Sequence, residues 1–186
     1  MVEMGVDARL FTLASPQAVE DMHHVTMAEA QDYDLVTDDR YGELDLEPYK
    51  EGIVAWTRPE GLAAPGNVDQ LTFLCRRGQP EILFFLKDQA GAYETKSVAD
   101  GGHLHTNLAG DFSKVDASFV AARDVGPDAY LTISVTRGFA QALTSTPEVD
   151  LTIWFPSIVG GGFSATLNFS DTDHSKLEYT FSHCIE

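Results

Sequence analysis

The sequence predicts a mainly β protein: an antiparallel β-sandwich or barrel of about nine strands with one N-terminal α-helix. Three segments in the last third of the chain, 130–137, 163–170 and 176–185, alternate apolar and polar residues with a period of two. Successive side chains of a strand point to opposite faces, so this alternation is typical of strands with one buried and one solvated face. Short stretches rich in Gly, Pro and Asp separate the segments, which favours antiparallel pairing through tight turns.

The N-terminal part predicts one strand and the single helix. Residues 6–13 alternate and predict a first strand. Ser15-Pro16 then predicts a helix start, because Ser accepts a hydrogen bond from a free N–H group and Pro is tolerated in the first turn. Helical spacing of apolar residues continues this helix over about 16–30. Seven carboxylates follow within about 32–47, which predicts an acidic loop; a solvated charge run is favoured over a calcium site there.

The middle of the chain predicts a succession of strands joined by short turns. The predicted strands are 52–58, 70–76, 81–87, 93–98, 115–122 and 149–155. The strand 81–87 is apolar on both faces, which indicates a central position in a covered sheet. Residues 138–147 are predicted to form a loop or one helical turn, and Asp171-Thr-Asp173-His174 the turn of the last hairpin.

Size and charge restrict the class of protein. With 186 residues the chain is predicted to form a single β-rich domain, residues 1–186, large enough to bury a core. Twenty-nine acidic residues against twelve Lys and Arg give a net charge of -17. Nucleic-acid binding draws its affinity from Lys and Arg, so no nucleic-acid partner is predicted, and anionic membrane surfaces are disfavoured for the same reason. The charge supports solubility and is compatible with a basic partner.

The termini and the cysteines bear on cellular location. The first residues show no basic start, apolar core or small-residue cleavage site, and no stretch approaches 18 apolar residues. No transmembrane segment is therefore predicted, and the expected location is cytoplasmic, or exported without a recognisable signal peptide. Cys75 and Cys184 are the only cysteines. Two buried free thiols in a reducing compartment are favoured, with a disulfide as the alternative.

The histidines offer one candidate binding pair. On a strand, His103 and His105 would share a face about 7 Å apart, as two metal ligands of a β-barrel can. Asp111 or His183 would be the third ligand. Two histidines at this spacing are common by chance, so a solvated or hydrogen-bonded pair is the favoured interpretation, and no cofactor is predicted. His183 falls on the apolar face of its predicted strand and is interpreted as a core histidine.

The two tryptophans are the other candidate binding residues. Trp154 shares a predicted polar strand face with Asp150 and Thr152, and Trp56 shares a face with Arg58. An indole on a polar face often marks a ligand groove or a partner contact. The alternative interpretation for Trp154 is that both faces of its strand are covered by other parts of the protein.

Three functional hypotheses remain, because the sequence lacks a nucleophile elbow and a phosphate-binding Gly-rich loop before a helix. The favoured one is a non-catalytic β module that binds a protein partner or self-assembles into a homo-oligomer. The second is a small-molecule-binding barrel, a carrier or a cyclase/isomerase, with the His103/His105 pair and Tyr130 or Tyr179 moving protons. The third is a carbohydrate-binding or membrane-acting β-sandwich that uses Trp56 and Trp154.

Overall fold

The computed structural model describes residues 41–50, 52–59, 68–88, 103–108, 111–115, 117–154 and 162–185. These belong to one compact unit that spans residues 39–186. The predicted first strand at 6–13, the predicted helix at 16–30 and the predicted strand at 93–98 lie outside the described residues. The prediction of a single domain over residues 1–186 stays a prediction.

Ten antiparallel strands and two helices form the described part of the chain. The strands are β1 (Asp45–Tyr49), β2 (Gly52–Thr57), β3 (Val68–Arg76), β4 (Gln79–Leu86), β5 (His103–Leu108), β6 (Asp111–Lys114), β7 (Ala117–Val125), β8 (Asp128–Val135), β9 (Glu148–Trp154) and β10 (Gly162–Asn168). The helices are α1 (Arg137–Leu143) and α2 (Asp171–Ile185). Neither of these two helices is long and apolar enough to cross a membrane.

The strands form two sheets, which confirms the mainly β, antiparallel class. One sheet has six strands in the order β1-β2-β3-β4-β8-β7, and the other has four in the order β10-β9-β5-β6. Neither sheet closes on itself within the described residues, so the barrel alternative is wrong for this part of the chain. The strand β4 is interior in the larger sheet, as its apolar sequence predicts.

Both sheets contribute to one hydrophobic core. Their inward residues alternate with solvated ones, as the period-two pattern predicts; Leu131 and Ile133 of β8 and Leu151 and Ile153 of β9 are all fully buried. The aromatic ring of Phe73 on β3 meets two other core rings edge-on, at centroid distances of 6.2 and 6.4 Å. One of these rings belongs to α2, so the helix closes part of the core over the six-stranded sheet.

The predicted last strand, 176–185, is wrong, because these residues belong to the helix α2. Leu177, Phe181 and Cys184 are fully buried, and their spacing of four and three residues places them on one helical face. Tyr179, which a strand would place beside Leu177 and Phe181, is 60% exposed. The period-two alternation is therefore compatible with a helix as well, because Leu177, Phe181 and Cys184 also recur at helical spacing.

The predicted hairpin turn at 171–174 is also wrong, because it is the first turn of α2. The hydroxyl of Ser170 accepts a hydrogen bond from the N–H of Asp173 (3.2 Å), and the Asp173 carboxylate accepts from both the N–H (3.0 Å) and the hydroxyl (2.7 Å) of Ser170. This reciprocal arrangement is a capping box, which satisfies the free N–H groups at a helix start. The residues Ser170-x-x-Asp173 before an apolar run are its sequence signature.

Two further expectations need correction. Residues 45–47 of the acidic loop predicted over about 32–47 belong instead to β1, which pairs with β2. Cys75 on β3 and Cys184 on α2 form a disulfide, with their Cα atoms 5.8 Å apart, so the prediction of two free thiols is wrong. The packing of α2 on β3 brings Cys184 to Cys75.

Candidate functional site

An open cleft of about 1190 Å³ lies at one end of the six-stranded sheet. The hairpin loop between β1 and β2 and the loop between β3 and β4 both reach this end, because β2 and β3 are antiparallel neighbours. The last turns of α2 supply another wall. Three elements that are distant in sequence therefore converge on one concave surface.

Both hairpin loops place a cation at the rim of the cleft. Lys50 follows the Tyr49–Gly52 pair into the first loop with a φ of 54°, and Arg77 and Gly78 form the second loop with φ values of 55° and 74°. In the second loop both central residues have positive φ, which is the type I′ geometry that matches strand twist in a two-residue hairpin. Two strand spacings separate the loops, so their tips lie about 10 Å apart.

Exposed apolar side chains gather in the same cleft. Five large apolar side chains of the described residues are exposed, and three of them line it: Tyr49 (48% exposed), Val120 (45%) and Tyr179 (60%). Leu46 and Val125 are the two that lie elsewhere. Val120 sits at the register shift in β7, and such a bulge turns a side chain away from the regular alternation.

A buried ion pair forms part of the cleft wall. The Glu81 side chain on β4 is only 6% exposed, whereas that of Arg76 on β3 is 45% exposed. Arg76 donates two hydrogen bonds to Oε1 of Glu81, from Nε at 3.1 Å and from Nη2 at 3.0 Å, and Nη2 lies 2.8 Å from Oε2. The guanidinium therefore neutralises the one carboxylate among the described lining residues.

We expect the substitution Arg76→Met to lower the free energy of unfolding by about 1–3 kcal/mol, because it leaves the buried Glu81 carboxylate without its donors. The double variant Arg76→Met/Glu81→Leu should recover most of that loss, since it removes both charges. Urea unfolding of the two single variants and the double variant measures the coupling. A double variant no more stable than Arg76→Met would contradict the assignment of the loss to the stranded carboxylate.

The disulfide fixes the helix wall of the cleft to the sheet. Cys75 and Cys184 both lie next to cleft residues, Arg76 on the strand and His183 on the helix. His183 is exposed at the cleft, in the last turn of α2, so its interpretation as a core histidine is wrong.

The structure places two of the four predicted binding residues, His103 and His105, on one sheet face. His103 on β5 pairs directly with Trp154 on β9, and His105 pairs with Thr152. Because Leu104 and Ile153 are buried, His103, His105 and Thr152 occupy the face that points away from the core. His103 is exposed and His105 is half-buried. This face is distinct from the cleft.

The fourth predicted residue, Trp56, belongs to the other sheet. It lies on β2, is half-buried, and the Arg58 guanidinium carbon lies 5.2 Å from the centre of its ring. The two tryptophans therefore do not form a joint surface through strand pairing. Tyr130, one of the proposed proton-transfer residues, is half-buried, and its ring centre lies 4.8 Å from that of Phe85.

Metal binding gains no support from the arrangement of ligand-type side chains. Within the part of the chain that the structure describes, no group of three or more His, Cys, Asp or Glu side chains is placed to hold a metal ion. His183, a proposed third ligand, lies on α2, which packs against the six-stranded sheet, whereas His103 and His105 lie on the four-stranded one.

Sequence reasoning missed most of the cleft residues. Lys50, Arg77 and Val120 carry no motif, and Tyr179 was considered only as a proton-transfer residue. The positions of all four depend on hairpin geometry, a bulge and a helix that alternation concealed. The sequence did signal the second hairpin: Arg77-Gly78 lies between two strand patterns, at the place where a type I′ hairpin usually carries Asn-Gly.

Comparison with known proteins found no matching family model, no matching curated protein and no matching solved structure.

Proposed function

We propose that this chain is a non-catalytic β module that binds a protein partner in the cleft at the end of its six-stranded sheet. The observation that carries the proposal is the coincidence of three exposed apolar side chains with two loop cations in one concave surface. Tyr and Arg are enriched in the central, energetically dominant parts of protein interfaces. Exposed apolar groups gathered in one patch are also more informative than the same groups scattered.

The polar groups of the cleft favour binding over catalysis. Ser182 donates its hydroxyl hydrogen to the Tyr179 carbonyl oxygen at 2.9 Å, so this hydroxyl is engaged with the helix rather than with a base. The cleft carboxylate, Glu81, is engaged by Arg76. Among the described lining residues, no nucleophile has a hydrogen-bonded base, which is the arrangement that covalent catalysis requires.

A partner other than a second copy of the chain is favoured by charge. A net charge of -17 on each copy opposes their association, so self-assembly needs a large compensating interface. The edge strands β1 and β7 remain available for such pairing within the described residues.

The Cys75–Cys184 disulfide supports the exported alternative for cellular location, since disulfides persist in oxidising compartments.

The test compares two exposed valines of the same strand. Val120 lines the cleft and is 45% exposed, and Val125 lies outside it and is 47% exposed. We expect Val120→Ser and Tyr179→Ala each to weaken binding of the partner about tenfold or more, because each removes apolar contact area from the cleft. Val125→Ser should leave binding unchanged.

The measurement begins with affinity capture by the wild-type protein and the three variants, followed by mass spectrometry. A protein retained by wild type and Val125→Ser but lost by the other two is then purified, and its affinity for all four proteins is measured by calorimetry. Light scattering reports self-association in parallel. If every captured protein binds all four equally, or if the chain is a strict monomer that captures nothing, the proposal is wrong.

A second candidate function rests on the outward face of the four-stranded sheet. His103, His105, Asp150 and Thr152 share that face with the position of Trp154. Such a row of polar and aromatic residues on a flat sheet supports the carbohydrate-binding hypothesis. The small-molecule hypothesis is supported only by the volume of the cleft, because its barrel does not form among the described strands.

A further inference from the structure

We infer that the cleft recognises an acidic segment of its partner: an extended stretch with several carboxylates and at least one apolar or aromatic side chain. This inference rests on the proposed function and specifies the partner's chemistry. The net charge of the chain as a whole suggests the opposite, a basic partner, so the two expectations can be separated by experiment.

The local charge of the cleft differs in sign from that of the whole chain. Its described lining contains three cationic side chains, Lys50, Arg76 and Arg77, and one carboxylate, Glu81, which leaves a net charge of +2. The end of α2 adds about half a negative charge, so the balance stays positive even with a neutral His183. The whole chain has more than twice as many acidic as basic residues. The described lining of the cleft is therefore basic on an acidic protein; Glu51, which follows Lys50 in the sequence, lies outside the described residues.

Local charges dominate recognition under physiological salt. At an ionic strength of about 0.15 M, electrostatic interactions between exposed charges decay over roughly 8 Å. The two loop tips are about 10 Å apart, so a segment in the cleft lies within this distance of one or both cations. The acidic residues elsewhere on the surface act mainly on the rate of approach at low salt.

The loop sequences supply an independent argument. Lys50 and Arg77 both occupy a conformation with positive φ, where Asn, Asp and Gly are the favoured residues. Asn-Gly would form the second hairpin at lower conformational cost than Arg77-Gly78. Turn formation therefore does not account for the basic side chains, whereas recognition of carboxylates does. Arg presents several donors in a plane that matches a carboxylate.

The same preference provides variants that keep the fold. Lys50→Asn and Arg77→Asn remove the two charges and place at each position a residue that tolerates positive φ. We expect the urea midpoint of the double variant to equal or exceed that of wild type. Arg123→Asn is the matched control, because Arg123 is exposed on the same sheet but lies outside the cleft.

The experiment measures fluorescence anisotropy of two labelled decapeptides at about 0.15 M salt. One contains glutamates around a central tyrosine, and the other contains lysines around the same tyrosine. We expect the wild-type protein to bind the glutamate peptide at least about tenfold more tightly than the lysine peptide. Lys50→Asn/Arg77→Asn should weaken binding of the glutamate peptide about tenfold or more, and Arg123→Asn should not change the affinity for this peptide.

Several results would overturn the inference. They are a stronger affinity for the lysine peptide, no saturable binding of the glutamate peptide up to about 1 mM, and an unchanged affinity in the double variant. Dimerisation that the double variant abolishes would assign the cleft to a second copy of the chain. If the glutamate peptide does not bind while the affinity of a captured partner still depends on Val120 and Tyr179, the proposed function stands. Only the inference of an acidic segment is then wrong.

Discussion

Replacing Cys75 and Cys184 together by alanine should lower the free energy of unfolding by about 3–4 kcal/mol. The disulfide joins residues 109 positions apart, and a loop of about 100 residues corresponds to about 4.7 kcal/mol in the chain-entropy description, from which measured values usually fall short. The loss should be concentrated in the end of α2, because the bond attaches the last turn of the helix to β3. The helix wall of the cleft should consequently become mobile.

Urea unfolding of the oxidised protein, the reduced protein and the double variant measures this effect. The reduced protein and the variant should have similar midpoints, both below that of the oxidised protein. Thiol titration in denaturant should detect no free thiol before reduction and two afterwards. Two reactive thiols in protein purified without reductant would show that the bond does not form, and the expected loss of stability would then be absent.

The substitution Asp173→Asn should cost about 2–3 kcal/mol, because the buried carboxylate serves several donors. Asp173 is only 2% exposed. Beyond its two bonds from Ser170, it accepts a hydrogen bond from the N–H of Leu44 (2.9 Å), and Nζ of Lys176 lies 3.6 Å away. Lys176 also donates to the Leu44 carbonyl oxygen. An asparagine amide would turn its own donors towards these donors.

This carboxylate also predicts the direction of a pH dependence. Burial by itself would raise the pKa of Asp173, but the hydrogen bonds from Ser170 and Leu44 and the charge of Lys176 outweigh it, so the pKa lies below the ordinary value of 3.8. The carboxylate binds protons more readily in the unfolded chain than in the folded one. Its contribution is therefore complete above the ordinary value and is lost as the pH falls through the lowered folded pKa.

Stability measured between about pH 5 and pH 2 tests this expectation. The decline on acidification should be shallower in Asp173→Asn than in wild type. Asp171→Asn is the control, because Asp171 lies in the first turn of the same helix but is exposed; it should change stability by no more than about 1 kcal/mol. Parallel acid profiles of wild type and Asp173→Asn would contradict the assignment.

Strand prediction succeeded where one face of a strand is buried. Alternation identified β8, β9 and β10 within one or two residues, because burial on one sheet face selects apolar residues at every second position. The continuous apolar run identified β4 as interior.

Strand prediction failed at α2. The pattern at Leu177, Tyr179 and Phe181 fits a strand, while Leu177, Phe181 and Cys184 fit a helix equally well. The capping signature Ser170-x-x-Asp173 was the local evidence that distinguishes them.

The candidate site was less predictable than the fold. His103, His105 and Trp154 were chosen as conspicuous residue types; His103 and His105 share one face, and Trp154 is the register partner of His103. The cleft, in contrast, depends on which hairpin loops lie at the same end of the sheet and on which residue occupies a bulge. Both depend on register and strand order, which are set by packing across the whole sheet.

The sequence by itself determined the β class, the antiparallel pairing and most strand positions, because these follow from local periodicity and turn residues. Only the tertiary structure decided that Cys75 and Cys184 are bonded and that Lys50, Arg77, Val120 and Tyr179 line one cleft. The physical reason is the separation along the chain between the residues that interact. Periodicity reports which side of a single segment is buried, whereas these features depend on contacts between segments up to 109 residues apart.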